Sequence, residues 1–347
     1  MPGKDNSRSG SGLSELALVA QIRSRATRPS APGLRLGIGD DCALLSPRAG
    51  EELAVTTDLS IAGRHFRLDW HPPEAVGHRA LARGLSDLAA MGARPLAAFL
   101  SLGLPRELTI AAGHRPAWIE RFLDSFLALA EAHKTPLAGG DLSESPIAVA
   151  DIVMVGAVAR GHALLRSGAR PGDLLYVTGS LGAAAAGLAR LAELAGPSRP
   201  ENTGLRPLRI PRKLELALAP HLYPQPRIAQ GRWLVRHKLA SAALDLSDGL
   251  STDLAHLCEE SGVAAEVDTA AVPLAAAATL AQALNGGEDY ELLFTAPASA
   301  RLPRSISGVP VTGIGRIVRS QRRRPQVTLI TQQGREPLLS QGWEHFS

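Results

Sequence analysis

The hydrophobic positions of the chain run in two rhythms, one of period 3.6 and one of short unbroken runs, and they alternate along its length. Leu13-Ser14-Glu15 opens a predicted helix that reaches Ala26, with Ser14 as cap and Leu16, Val19 and Ala20 on one face. LRLGIGDDCALL (34–45) reads as strand, glycine turn and strand, and ELAVTTDLS (52–60) as a short strand ending in polar residues. Pro72-Pro73-Glu74 starts a helix with an apolar stripe at Leu81, Leu85 and Leu88, closed by Gly92 and Pro95. The run 95–104 is short enough for a buried strand. From Pro116 a second helix places Ile119, Phe122, Leu123, Phe126 and Leu127 at i, i+3, i+4, i+7 and i+8. Ala138-Gly139-Gly140-Asp141 reads as a turn, and 147–159 as a long strand.

The second half repeats the alternation. The turn-rich stretch 166–173 marks a domain junction, and 174–196 gives strand, glycine turn and alanine-rich helix. Four prolines make 196–212 an exposed loop or arm. ALDLSDGL (243–250) is a strand running into a turn. Ser251 or Thr252 can cap the helix that stops at Gly262, and GGEDYELLFT (286–295) is a turn feeding a strand. Strands and helices interleave in both halves, which predicts a mixed α/β fold in two domains, 13–160 and 161–347, behind a polar tail over 1–12. That tail has no apolar h-region and reads as disordered, not as a signal peptide.

Composition narrows the class. With 45% hydrophobic and 20% charged residues in 347, the chain can bury a full core, and no apolar run is long enough to span a membrane. Cys42 and Cys258 have no metal-thiolate spacing and read as small buried apolar residues, which fits a reducing, cytoplasmic setting. The net charge of +4 rests on arginine, with lysine only at 4, 134, 213 and 238. The one run, Arg322-Arg323-Arg324, is a solvated loop on this reading. Aromatics at 4% are too few for a base-stacking platform, so nucleic acid is not the expected partner.

The familiar nucleotide motifs are missing. Only Lys134 precedes a threonine, and His133 stands where a Walker A loop needs glycine; both candidate GxGxxG sites fail at Cys42 and Val318. What the chain offers is aspartates where apolar runs meet turns: Asp40-Asp41, Asp58, Asp141, Asp245 and Asp248, with Asp87 inside a helix. Any one of them alone is a common turn former. Several converging would need bound cations to offset their repulsion, and an oxygen-only set without Cys or His suits Mg²⁺ or Mn²⁺. Strand alternation predicts that Asp40 and Asp41 do not share a site and that Asp245 and Ser247 do. Turns at Gly139-Gly140 and Gly179-Ser180-Leu181-Gly182, with Arg166 nearby, could cradle phosphate. The inventory is that of a metal-assisted phosphoryl transferase.

GIGDDCALL (37–45), TTDLSIAGRHF (56–66), LSDLAAMGA (85–93), GGD (139–141), LLRSGARPGD (164–173), YVTGSLG (176–182), LDLSDGL (244–250), GGEDYELLF (286–294) and GWEHF (342–346) occur in one order over nearly the whole chain. In this the chain resembles the bacterial thiamine-monophosphate kinases of the aminoimidazole-ribonucleotide synthetase-like superfamily. The resemblance implies an α/β (α+β) two-domain fold and a homodimer pairing its N-terminal sheets. The N-terminal domain would bind ATP and Mg²⁺ and dimerise, and the C-terminal domain would complete the substrate site. It implies direct transfer from ATP to thiamine monophosphate, giving thiamine diphosphate. Asp41, Thr56, Thr57, Asp58, Asp87, Asp141, Asp245 and Asp248 would hold several Mg²⁺ ions. Gly140, Asp141, Arg166 and Ser247 would meet ATP, and His65, Glu288 and Trp343 the substrate. No general base is implied, because the acceptor is already an ionised phosphate oxygen. Related synthetases and maturation proteins would want a reactive cysteine in the N-terminal loop or at the C-terminus, and the chain has neither. A basic nucleic-acid binder on an inactive fold of this kind would not keep the aspartates.

Overall fold

The computed structural model describes residues 15–26, 32–111, 116–196, 208–320 and 327–342. The N-terminal part contains α1 (Glu15–Ala26), β1 (Leu34–Leu36), β2 (Leu44–Leu45), β3 (Glu51–Ile61), α2 (Pro73–Ala90), β4 (Arg94–Leu104), α3 (Trp118–Ala132), β5 (Leu137–Glu144) and β6 (Val149–Ala159). Four strands form a sheet in the order β3-β6-β4-β5, antiparallel except for the β4–β5 pair.

Helix α2 begins on proline, whose missing N–H costs nothing in a first turn, and closes at Met91 before Gly92 in the left-handed region. Fifteen of its 18 residues are buried, so it is a core helix with no solvent face. The periodic stripe of α3 packs on it as predicted: Ile119, Phe122, Leu123 and Phe126 are all fully buried. The two backbones come close because position 77 is glycine; a Cβ there would lie 2.1 Å from the Phe122 carbonyl oxygen. In α1, Leu18 and Ala26 are buried, while Val19 is 40% exposed and Ala20 lies on the solvent side, so the expected face is rotated. The Ser14 cap lies outside the described residues.

The Gly139-Gly140 stretch is not a turn. It lies within β5, paired in parallel with Phe99 and Leu100 of β4. Gly140 has φ +153°, and a Cβ on it would sit 1.9 Å from the Leu100 carbonyl oxygen. The glycine pair therefore marks a close approach of two strands, which sequence alone cannot distinguish from a turn.

The C-terminal part contains β7 (Leu174–Thr178), α4 (Ala183–Ala195), α5 (Glu215–Leu222), α6 (Ile228–His237), β8 (Ala242–Asp245), α7 (Leu250–Ser261), β9 (Val263–Asp268), α8 (Leu280–Asn285), β10 (Leu292–Ala296), β11 (Ser305–Ile306), β12 (Val309–Arg319), β13 (Val327–Thr331) and β14 (Gly334–Leu338). Its sheet runs β14-β13-β9-β12-β7-β10-β8, with β11 paired to β12. Only β13 and β9 are parallel. Helix α7 starts two or three residues earlier than expected: Gly249 is its cap, and Ser251 and Thr252 are buried inside it. The Asp253 carboxylate accepts the N–H groups of Asp248 and Gly249 at 3.0 and 3.1 Å, which frees the two hydroxyl residues from capping. The helix stops at Gly262 (φ +65°), as predicted. Of the proline-rich arm, 197–207 lies outside the described residues, as do the Arg322–Arg324 run and the tail over 1–12; Leu208 and Ile210 pack against Leu191, Leu218 and Leu222.

One core runs through both parts. Leu81, Leu85 and Leu88 of α2 belong to the same buried cluster as Ala243, Leu292 and Phe294 of the second sheet. Helix α2 is thus the hinge-pin of the fold, with side chains reaching the space between the sheets.

In the second sheet, Glu266 on the interior strand β9 is bracketed by Arg316 (2.7 Å) and Arg335. Hydrogen bonding from Arg335 holds its carboxyl below the usual range against the cost of burial. A depressed acid pKa stabilises the fold above the unfolded value, and that contribution is lost as pH falls through the folded value. Glu266→Gln is therefore expected to lose about 1 kcal/mol at pH 7, the arginines being largely exposed, and almost nothing near pH 3. Urea unfolding at both pH values measures the difference; an equal loss at both would contradict it.

Candidate active site

The sequence puts its polar residues at the ends of β3, α2 and β8 and in two loops, and the fold turns these toward one another. Along β3, Thr56, Asp58 and Ser60 point to one side by strand alternation, toward the last two turns of α2. On α2, residues 79, 83 and 87 are spaced i, i+4, i+8 and stack on one face. Thr56 Oγ1 donates to Asp87 Oδ2 at 2.5 Å. Arg83 pairs with Asp58 at 2.8 Å and reaches Ser60 Oγ at 3.2 Å. Ser86 donates to Asp245 Oδ2 at 2.6 Å across the junction of the two sheets.

These residues border a cleft of about 680 Å³. Asp58, His65, Arg83, Asp87, Asp245, Ser247, Asp248, Glu288 and Tyr290 form its polar side. The opposite wall is apolar, made by Ala184, Leu188 and Ala192 of α4 together with Phe66 and Trp70. Burial raises the acids: Asp58 to about 6, opposed by Arg83, and Asp245 to about 7, with the neighbouring Asp87 charge adding to it. Asp87 is raised by burial too, with Thr56 and Arg166 opposing. Asp253, behind Asp248, is pushed up to about 8. A positive charge placed here relieves every one of these groups.

The site residues named from the sequence fall in three places. Asp58, His65, Asp87, Asp245, Ser247, Asp248 and Glu288 line this cleft, with Thr56 bonded into it and Arg166 acting electrostatically on Asp87 and Asp245. Asp41, Gly140 and Asp141 line a second cleft of about 440 Å³ between α1, the 38–43 turn and the β4–β5 edge. Asp40 lines it too, because 38–43 is irregular backbone where strand alternation does not apply. Thr57 faces the outer side of β3 with Leu53, Val55 and Leu59, away from both clefts. Trp343 lies outside the described residues. Among the described residues, no three Asp, Glu, His or Cys groups are gathered closely enough to hold an ion by themselves.

Two expectations are corrected. The N-terminus of α4 does not offer its amides to a ligand, because Asp289 takes those of Gly182 (2.6 Å) and Ala184 (3.0 Å). Cys42 is exposed at the second cleft, while Cys258 is buried as expected and its thiol is pushed up to about 12. Sequence reading also missed Arg79, Arg83, His71, His221 and Tyr290. The two arginines carried a signal, their four-residue spacing from Asp87; the histidines carried none.

A carboxylate-rich cleft roofed by an apolar helix, between one four-stranded and one larger mixed sheet, defines a two-domain fold with a matching family profile. The chain matches AIR synthase related protein, N-terminal domain, over 39–163, and its C-terminal domain over 170–328. Within that class it belongs to the thiamine-monophosphate kinase family. It is 41% identical to the thiamine-monophosphate kinase of Salmonella typhimurium and 40% to that of Escherichia coli K12, each over 315 residues covering 87% of this chain and 90% of the relative. The crystal structure of thiamine-monophosphate kinase from Stenotrophomonas maltophilia K279a superposes with a TM-score of 0.74 at 38% identity, covering 91% of this chain and 97% of that one. AaThiL complexed with AMPPCP and TMP gives 0.68 at 31% identity, covering 96% and 97%.

Among the described residues no helix is long and apolar enough to cross a membrane.

Proposed function

We propose that this chain transfers the γ-phosphoryl group of ATP directly to the phosphate of thiamine monophosphate, giving thiamine diphosphate. The observation that carries this reading is the meeting of four aspartates, from β3, α2, β8 and the following turn, with His65 and Glu288 in one cleft. The family's relatives carry that activity in their names, and one related structure holds an ATP analogue together with TMP.

In the larger cleft the donor set fits Mg²⁺: carboxylate and hydroxyl oxygens, no thiol, and, among the described residues, too few protein ligands at any one point to close a cage, which leaves places for water and phosphate. We assign the ions to Asp41, Thr56, Asp58, Asp87, Asp141, Asp245 and Asp248, and leave out Thr57, whose side chain is on the outer face of β3. Bound Mg²⁺ would neutralise the two phosphate chains and so lower the electrostatic barrier to their approach. Gly140, Asp141, Arg166 and Ser247 are assigned to ATP. Arg166 adds a fixed positive charge near Asp87 and Asp245. The acceptor oxygen is ionised at neutral pH, so no residue need take a proton from it. His65 accepts the Ile61 N–H on Nδ1 at 3.1 Å, which puts its own proton on Nε2 as a donor. His65, Glu288 and Trp343 are assigned to the substrate.

A homodimer is proposed as the working form. Leu53, Val55 and Leu59 leave an exposed apolar row along the edge strand β3, 46%, 62% and 45% exposed. Such a row on an edge strand is normally covered. We place the enzyme in the cytoplasm, with free thiols and soluble substrates.

The test is purified protein with ATP, Mg²⁺ and thiamine monophosphate, scored for thiamine diphosphate. Thiamine diphosphate formed only with all three present is the expected result; none formed under any metal would overturn the reading. In the same assay Trp343→Ala is expected to raise KM for thiamine monophosphate by a factor corresponding to about 1–2 kcal/mol, as for a desolvated ring–cation contact, with KM for ATP unchanged. Trp343→Tyr keeps a ring face and is expected to be mild.

A further inference from the structure

Glu288 reaches the cleft from an unusual loop. It has φ +68° and Tyr290 has φ +51°, two non-glycine residues in the left-handed region within three positions. The loop is held there by its backbone: Glu288 N–H donates to Ser247 O at 2.7 Å and Tyr290 N–H to Leu246 O at 2.9 Å. Strained backbone kept in place by its surroundings is a feature of functional sites. Here it throws the Glu288 side chain across the domain junction, onto α2.

What receives it is a buried polar chain. Arg79, its side chain 6% exposed, donates from Nη2 to Glu288 Oε1 and to the His65 carbonyl at 3.2 Å. Its Nη1 donates to the His221 carbonyl at 3.0 Å and lies 2.9 Å from that imidazole's Nε2. The imidazoles have a definite order. The Arg67 backbone N–H can only donate, so His71 Nδ1 accepts it at 3.0 Å and the His71 proton sits on Nε2. Taking that N–H as the donor to His221 Nε2 at 3.0 Å assigns the His221 proton to Nδ1, which is 3.3 Å from Glu288 Oε2 and 3.1 Å from Arg79 Nη1. Burial, with Arg79 beside them, holds both imidazoles neutral, which this pattern of donors requires. Burial alone would raise Glu288, but Arg79, His221 and Arg83 overcome it and hold its carboxyl well below the usual range. One internal donor meets each carboxylate oxygen, and each oxygen has a second lone pair for a ligand.

We infer that Arg79, backed by His221 and His71, is the positioning residue that fixes Glu288 as an acceptor aimed into the cleft, and so makes the site select a ring bearing an amino group. This rests on the reading of thiamine monophosphate as substrate and Glu288 as its contact. A fixed carboxylate rewards an amine donor and opposes a ring carbonyl, lone pair against lone pair. The 4-amino group of the pyrimidine is the donor it fits; the 4-oxo analogue, oxythiamine monophosphate, presents the wrong group.

The test is steady-state kinetics on the purified enzyme with ATP and either phosphate ester. Arg79→Met is expected to raise KM for thiamine monophosphate at least tenfold, to leave KM for ATP within about twofold, and to narrow the preference over oxythiamine monophosphate. Arg79→Lys keeps a cation against Oε1 and is expected to recover most of both. Should Arg79→Met fail to fold by circular dichroism, His221→Phe, which keeps Arg79 and removes the second donor to Glu288 together with the ring contacts to His71 and Arg79, carries the same test with a shift of about threefold. Folded variants with unchanged KM and unchanged analogue preference would overturn the inference, as would equal rises in both KM values with the preference intact. Wild-type enzyme inactive on thiamine monophosphate would instead overturn the functional reading beneath it.

Discussion

Asp87→Asn is expected to lower kcat by about 10²–10³ while leaving the protein folded, the size of loss seen when one preorganised electrostatic group is removed from a phosphoryl- or acyl-transfer site. Asp87 is half-buried on the last turns of α2, accepts the Thr56 hydroxyl, and faces Asp58, Asp245 and the Arg166 charge. Asparagine keeps its shape and its bond to Thr56 and removes only the charge. Because burial and like charges raise the acids here, that loss relieves strain in the free protein, and the urea midpoint should hold or rise. Asp173 gives the contrast. It is buried outside the cleft and accepts from Ser241 Oγ (2.6 Å) and the Arg170 N–H (3.0 Å). Asp173→Asn should lower the midpoint and spare kcat. A kcat for Asp87→Asn within tenfold of wild type would remove Asp87 from the reacting centre.

The contrast between these two aspartates shows what the sequence can carry. Asp87 stands out because a charge in the apolar stripe of a helix breaks a local period, and Asp58, Asp245 and Asp248 because they end apolar runs. Helix α3 is readable for the same reason: its pattern repeats within two turns. What is missed is held by contacts far apart in the chain. Arg79 and Glu288 are 209 residues apart, and His71 and His221 are 150 apart. No local period records such a pairing. Glycine misleads in the opposite sense. Gly139-Gly140 and the Gly179–Gly182 turn both look like anion cradles, yet one packs two strands together and the other presents amides that Asp289 already occupies. A glycine states that something comes close, and only the fold says whether it is backbone or ligand. Elements β9 and β12–β14 lack strong flanking signals and take their strand character from pairing in the sheet.

The second large effect follows from the burial of α2 on all sides. One face carries Arg79, Arg83 and Asp87 toward the cleft, and another is fixed by Phe122, which is fully buried and stacks against Trp118 at 5.3 Å and Phe126 at 6.2 Å. The Phe122 carbonyl sits in the notch left by Gly77, so the two helices cannot slide together to fill a void without their backbones colliding. Phe122→Ala should therefore leave a cavity and cost about 3–5 kcal/mol, the upper part of that range being expected where collapse is blocked. A loss near 1 kcal/mol in urea unfolding would mean that α2 and α3 repack freely, against the close approach at Gly77. The variant also probes how rigidly the cleft is held. Asp87 and Arg79 are ten and two residues from Gly77 on the same helix, and a shift of α2 by a fraction of an ångström would move both relative to Asp58 and Glu288. Below its lowered melting temperature, folded Phe122→Ala should thus lose part of its kcat as well, because in the proposed direct transfer the site works by positioning. Full kcat in the folded variant would show that the cleft aspartates keep their places without help from α3.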